Sequence, residues 1–176
     1  NAKADYNADF VAEMLPYAEK SLRAFMDNTD KNGVGIFVKT PFWNFHEWSR
    51  DLFGWTIFRE EELSPMTDCN LTMLVRLAVK GIVELMEKQG YDGVEAYKKY
   101  YETLSDIIPS FFDEEKKLYA SYIKDGVKSG YHAYTQALAL NSGVVEDKNK
   151  AYLCEVLKHP DGRVVNLTFA ALQLKY

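Results

Sequence analysis

Two apolar stripes at helical spacing, separated by one short break, constrain this chain more than anything else in its sequence. Over 69–89, Leu71, Leu74, Leu77, Ala78, Ile82, Leu85 and Met86 recur at helical intervals, and over 94–112 Tyr97, Tyr101, Leu104, Ile107, Ile108 and Phe111 do the same. Such spacing gathers each set on one side of an α-helix. Only Gly90-Tyr91-Asp92-Gly93 lies between them. A glycine stop followed so soon by a new start leaves room for a tight reversal and nothing longer. The pair is therefore expected to fold as an antiparallel helical hairpin. Thr67 or Asp68 is the expected cap of its first helix, and Pro109 falls near the last turn of its second.

The same signals recur on both sides. Residues 5–28 predict a helix capped by Asp5 or Asn7, with Phe10, Met14, Tyr17, Ala18, Leu22 and Phe25 facing inward. Pro16 inside it requires either a kink or a start near Leu15. The stretch 28–33 is a clear stop. Residues 118–123 alternate loosely before Lys124-Asp125-Gly126, which predicts a short β excursion. Helices are then expected over 131–142 and 147–158, joined around Asn141-Ser142-Gly143 as a second hairpin, with Leu153, Val156 and Leu157 inward. Beyond His159-Pro160-Asp161-Gly162 an apolar helix opens near Asn166 and is still running at Tyr176. With no stop signal there, residues 1–176 read as one fragment of a larger domain, Asn1-Ala2 being set aside as an expression scar. The expected fold class is all-α, built of successive antiparallel helix pairs. Helix pairs bury a continuous core only by stacking on their neighbours, so faces uncovered at the ends of such a piece are expected to promote self-association.

Composition narrows the functional classes. With 47% hydrophobic and 27% charged residues the chain lies in the ordinary globular range. A net charge of −5 argues against a nucleic-acid partner, since phosphate contacts need a basic face. No run approaches the length of a membrane span, and the start lacks a secretory pattern. Cys69 and Cys154 are too isolated for a metal knuckle or a disulfide framework. They are expected to be small buried hydrophobes in a reducing compartment, which favours the cytoplasm. Gly33 and Gly35 make no phosphate loop, and no cofactor is expected. Asn70-Leu71-Thr72 and Asn166-Leu167-Thr168 match the glycosylation pattern, but both fall at helix starts and are read as chance.

One segment breaks the helical pattern. Between 37 and 58 stand Phe37, Phe42, Trp43, Phe45, Trp48, Phe53, Trp55 and Phe58, including all three tryptophans, interleaved with Asn44, His46, Glu47, Arg50 and Asp51. A sugar ring offers apolar C–H faces and polar hydroxyl edges, which aromatic plates beside carboxylate, imidazole and amide groups suit. The competing reading is that the rings seal the helical core while the charges face water. His46-Glu47 fails as a zinc-protease motif because Arg50 occupies the position of the second histidine. Glu60-Glu61-Glu62 and Asp113-Glu114-Glu115 are read as solvated loop or helix-start charges, His132 as a structural histidine and His159 as part of a turn.

These residues, taken in order, resemble a known family. Gly35-Ile36-Phe37, then Phe42 to Trp48, Thr67-Asp68, Tyr97 to Tyr119, and Tyr134-Thr135-Gln136-Ala137-Leu138-Ala139-Leu140 with Gly143-Val144-Val145 resemble the catalytic barrel of bacterial α-L-rhamnosidases, the family 78 glycoside hydrolases. The resemblance implies a partial (α/α)6 six-hairpin toroid and a carbohydrate substrate. The family loop usually reads Phe-Gly-Asp-Trp; here Phe45 and Trp48 match, His46 replaces the glycine and Glu47 the aspartate. It therefore implies that Trp43, His46, Glu47 and Trp48 bind sugar at one end of the helix pairs, with the bulk of His46 a departure from the usual pocket shape. The family's general acid precedes this region and its general base follows it, so the resemblance assigns no catalytic residue here. It implies an inverting glycosidase for the parent protein and an incomplete, inactive fragment for this chain. The alternatives are a noncatalytic helical-repeat module gripping a peptide, or another six-hairpin carbohydrate enzyme: trehalase-like, glucosidase-like or a lyase.

Overall fold

The computed structural model describes residues 6–34 and 66–158. These are mainly helical with a few short antiparallel strands. Helix α1 spans Ala8–Met26, α2 Cys69–Lys88, α3 Val94–Ile107, α4 Ala133–Ser142 and α5 Asp147–Lys158, with a 3-10 turn at Ile108–Phe111 after α3. The strands are β1 Thr29–Asp30, β2 Gly33–Val34, β3 Met66–Asp68, β4 Phe112–Asp113, β5 Leu118–Tyr119, β6 Tyr122–Lys124 and β7 Val127–Ser129.

Both expected hairpins are present. α2 and α3 pack along each other, as do α4 and α5. Caps set their limits. The Asn7 side chain accepts from Phe10 N at 3.1 Å and opens α1; Asp68 accepts from Leu71 N at 2.9 Å and opens α2. Gly143 closes α4 in the left-handed region at φ 71°. α1 runs through Pro16 from a start at Ala8, so the expected alternative of a start near Leu15 is not what forms. The second helix of the first hairpin ends at Ile107, where Pro109 tightens the chain into the 3-10 turn instead of carrying an α-helix to 112.

Two cores share α2. One gathers Cys69, Met73, Ile108, Phe111, Tyr119, Leu138 and Leu153 from α2, the 3-10 turn, β5, α4 and α5. The other joins α1, β2, α2 and α3 through Val11, Leu15, Leu22, Val34, Val79, Met86, Tyr97 and Leu104. Because α2 is covered on two sides, its buried face is Met73, Val75, Arg76, Val79 and Met86, and Leu74 and Ala78, expected inside, are exposed. α1 is corrected more sharply. Val11 and Leu15 are buried, whereas Phe10, Met14 and Tyr17, expected inward, are 51%, 42% and 66% exposed. One residue along a helix is about 100° around it, so the true face lies one step from the expected one. α4 is buried continuously from Tyr134 to Leu140, as befits a central helix. Cys69 is buried and Cys154 only half-buried, both as free thiols.

The β structure is larger than one excursion. β3, β6 and β7 form an antiparallel sheet in that order with β6 in the middle, β4 pairs with β5, and β1 with β2. Asp125 and Gly126 turn the β6–β7 hairpin at φ 51° and 77°. All the strands lie at one end of the helix pairs, where α1 and α3 end and α2 and α4 begin.

Candidate functional site

Trp43, His46, Glu47 and Trp48 lie outside the described residues, as do Glu60-Glu61-Glu62, His159 and the helix expected after Asn166. The structure does describe where that aromatic segment is attached. Val34 on one flank and Met66 on the other both sit at the strand-bearing end of the helix pairs.

The attachment is built from close backbone contacts. Val34 is fully buried, and its N–H donates to Thr72 Oγ1 at 3.1 Å; the same hydroxyl donates to the Asp68 carbonyl at 2.6 Å. One threonine thus ties β2 to the first turn of α2. Gly33 beside it has φ +129°, and a β-carbon there would meet Thr72 Oγ1 at 3.0 Å and the Phe111 ring at 3.2 Å. Only glycine accepts both the angle and the space. On the other flank, β3 pairs with β6 through Met66–Lys124, Thr67–Ile123 and Asp68–Tyr122. Cys69 N then donates to the Ser121 carbonyl at 2.9 Å, joining the sheet to the helix start.

The second hairpin brings buried polar groups to the same end. The Gln136 amide accepts from Tyr119 N and donates to Tyr119 O, both at 2.8 Å, so a side chain of α4 completes the hydrogen bonding of β5 as a strand would. Ser121 and Thr135 hydroxyls are 2.6 Å apart. His132 caps α4 through Nδ1, which accepts from Tyr134 N at 3.1 Å, in keeping with its expected structural role. Asp113 is a turn anchor. Its carboxylate accepts from the Tyr131 hydroxyl at 2.6 Å and from Glu115 N and Lys116 N at 3.0 Å each, which hold its pKa well below the usual carboxylate range. That group stays ionised, the wrong condition for a general acid at neutral pH.

Three buried atoms here stand apart: Thr67 Oγ1 and both polar atoms of Asn70 have no hydrogen-bond partner among the described residues. Asn70 is fully buried at the second residue of α2, which also removes it as a glycan acceptor. A buried polar atom left unpaired costs on the order of 1–3 kcal/mol, so these two side chains are polar groups that the described part of the strand-bearing end does not itself satisfy. In the sequence Thr67 reads as a cap and as part of the family resemblance, and Asn70 as part of a glycosylation pattern. A threonine and an asparagine at a helix start carry no sign of burial, so no local signal could have found them.

Elsewhere, Arg76 is buried and pins three helices. It donates to Ser105 Oγ at 2.7 Å, Tyr101 Oη at 2.6 Å and the Ser142 carbonyl at 2.8 Å, and lies 4.3 Å from the centre of the Tyr101 ring. A groove of about 320 Å³ lined by Lys80, Val83, Glu84, Lys98, Tyr101 and Glu102 runs between α2 and α3. It lies toward the opposite end of the hairpin, and four of its six lining residues are charged while its surface is mainly apolar. Among the described residues no group of three or more His, Cys, Asp or Glu could hold a metal ion. Among them, too, no helix is long and apolar enough to cross a membrane.

No family model and no curated protein matches the sequence. Among solved structures, the chain is similar to the GH78 family rhamnosidase of Bacillus sp. GL1, with a TM-score of 0.73 and 19% identity over 92% of this chain. The match spans 16% of the rhamnosidase chain. Identity at this level shows a common fold.

Proposed function

We propose that this chain is part of the six-hairpin helical barrel of a glycoside hydrolase of the α-L-rhamnosidase kind, whose parent protein removes terminal rhamnose from glycosides by inverting acid–base hydrolysis. The observation that carries this reading is the likeness of fold to the GH78 rhamnosidase over 92% of the chain. The ordered sequence resemblance supports it independently. So does the anchoring of both flanks of the aromatic segment at one end of the helix pairs, the end where a barrel of such pairs gathers its loops.

In this reading Trp43 and Trp48 offer flat apolar faces to the sugar ring, and His46 and Glu47 bond its hydroxyls. The acid and the base, which an inverting enzyme holds about 6.5–9.5 Å apart across the sugar bond, come from other parts of the barrel. Carbohydrate is the substrate, and neither nucleic acid nor membrane is a partner. The test is hydrolysis of p-nitrophenyl rhamnoside and a panel of other p-nitrophenyl glycosides by this chain and by the full-length parent. The parent is expected to cleave the rhamnoside and the chain alone to cleave nothing. A parent active only on other glycosides removes the substrate while sparing the fold. Hydrolysis by the isolated chain overturns the claim that its catalytic groups lie elsewhere.

A further inference from the structure

The hydroxyl of Thr72 has two bonds of different reach. It donates to the Asp68 carbonyl one turn back at 2.6 Å, the ordinary local bond of a threonine in a helix. The same oxygen accepts the N–H of Val34, 38 residues away in the chain, at 3.1 Å. Val34 ends β2 and Asp68 ends β3, so one hydroxyl bridges the two strands that flank residues 35–65. β2 and β3 also lie against each other, and both Val34 and Thr72 are fully buried, where water cannot take over a lost bond. Gly33 permits the close approach, since a β-carbon there would meet Thr72 Oγ1 at 3.0 Å.

We propose that Thr72 is a positioning residue for carbohydrate binding. By bridging the two flanks it fixes where the segment bearing Trp43, His46, Glu47 and Trp48 leaves the fold and rejoins it. This inference rests on the sugar-binding role proposed above for those four residues. Binding groups work only when their support holds them to within about 0.5 Å of the productive geometry. Thr72 itself touches no substrate. With the acid and the base supplied from elsewhere in the barrel, loosening the bridge weakens the hold on substrate and transition state alike. That raises KM and leaves kcat in place. A purely structural threonine would affect stability and leave KM unmoved.

Thr72→Val keeps the shape and removes both bonds, whereas Thr72→Ser keeps the hydroxyl. Gly33→Ala presses on the same bridge from the β2 side and serves as a second, independent variant. Tyr101→Phe, which removes one bond to buried Arg76, is the control for lost stability alone. In the full-length parent, acting on the p-nitrophenyl glycoside it cleaves best, Thr72→Val and Gly33→Ala should each raise KM about tenfold with kcat within about twofold. Thr72→Ser and Tyr101→Phe should match the wild type.

All three tryptophans, Trp43, Trp48 and Trp55, lie in the flanked segment. Tryptophan emission from the 176-residue chain therefore reports on that segment with no sugar present. Emission and its quenching by acrylamide should change in Thr72→Val and Gly33→Ala, and hold in Thr72→Ser and Tyr101→Phe. Far-UV circular dichroism checks that each variant is folded. Unchanged emission in Thr72→Val overturns the positioning role, whatever the parent cleaves. Changed emission with KM unmoved, or a fall in kcat alone, overturns its link to sugar binding. A parent that cleaves other glycosides but no rhamnoside defeats the substrate proposed above, and the KM shift on its own substrate still supports the role of Thr72.

Discussion

Glu19 should make the docking of α1 sensitive to acid. Its carboxylate accepts from the Tyr91 hydroxyl at 2.6 Å, from the Tyr97 hydroxyl at 2.6 Å and from Arg23 at 2.8 Å, and it is only 16% exposed. The two phenols frame the start of α3, so this one side chain links α1 to the α2–α3 hairpin. The three donors, Tyr91 foremost, lower its pKa from 4.5 to about 2. Glu19→Gln keeps the shape and one acceptor oxygen, but replaces charge-assisted bonds by neutral ones. Such bonds differ by about 1 kcal/mol each, so with modest solvent screening the loss at pH 7 should be about 2 kcal/mol. A depressed folded-state pKa contributes stability that is complete above the unfolded value and is lost as pH falls toward the folded one. The difference between wild type and Glu19→Gln should therefore be constant above about pH 5 and shrink steadily between about 4.5 and 2. Urea unfolding of both proteins at a series of pH values measures it, and the titrations of all other carboxylates cancel in the difference. Curves that stay parallel down to about pH 2.5, or a gap below about 0.5 kcal/mol at pH 7, would refute the reasoning.

Gly33→Ala should destabilise by about 2–4 kcal/mol, combining a disfavoured backbone angle with collision against Thr72 and Phe111. Gly126→Ala is the control, since it has positive φ but nothing within 4 Å; it should cost only about 1–2 kcal/mol, and equal losses in urea unfolding would dismiss the collision. Thr67→Val replaces the Thr67 hydroxyl, which has no partner among the described residues, by a methyl group of the same shape. It should be neutral or raise stability by about 1 kcal/mol, and a fall of about 1 kcal/mol or more would show that the hydroxyl is in use.

The starts of α1 and α2 and the end of α4 were legible because they depend on neighbours in the chain. Asn7, Asp68 and Gly143 sit where local backbone geometry needs a side-chain acceptor or a left-handed turn, and each fills that role. The two hairpins followed from the same logic, since a stop and a start a few residues apart leave the chain one way to go. What lay beyond the sequence was direction. α1 carries two overlapping apolar rows, Phe10-Met14-Tyr17 and Val11-Leu15-Leu22, and periodicity cannot choose between rows one residue apart. That choice belongs to α2 and α3, whose Val79, Met86, Tyr97 and Leu104 cover the second row and leave the first outside. The polar end of the fold was hidden for a related reason. Gln136 completing β5, Thr72 tying down Val34, and the burial of Thr67 and Asn70 all arise where distant segments meet, and no window of sequence contains both segments. The sequence alone determined which stretches are helices and where the aromatic residues are concentrated. Tertiary packing decided which faces are covered and where that segment is anchored, because burial is a property of neighbours in space.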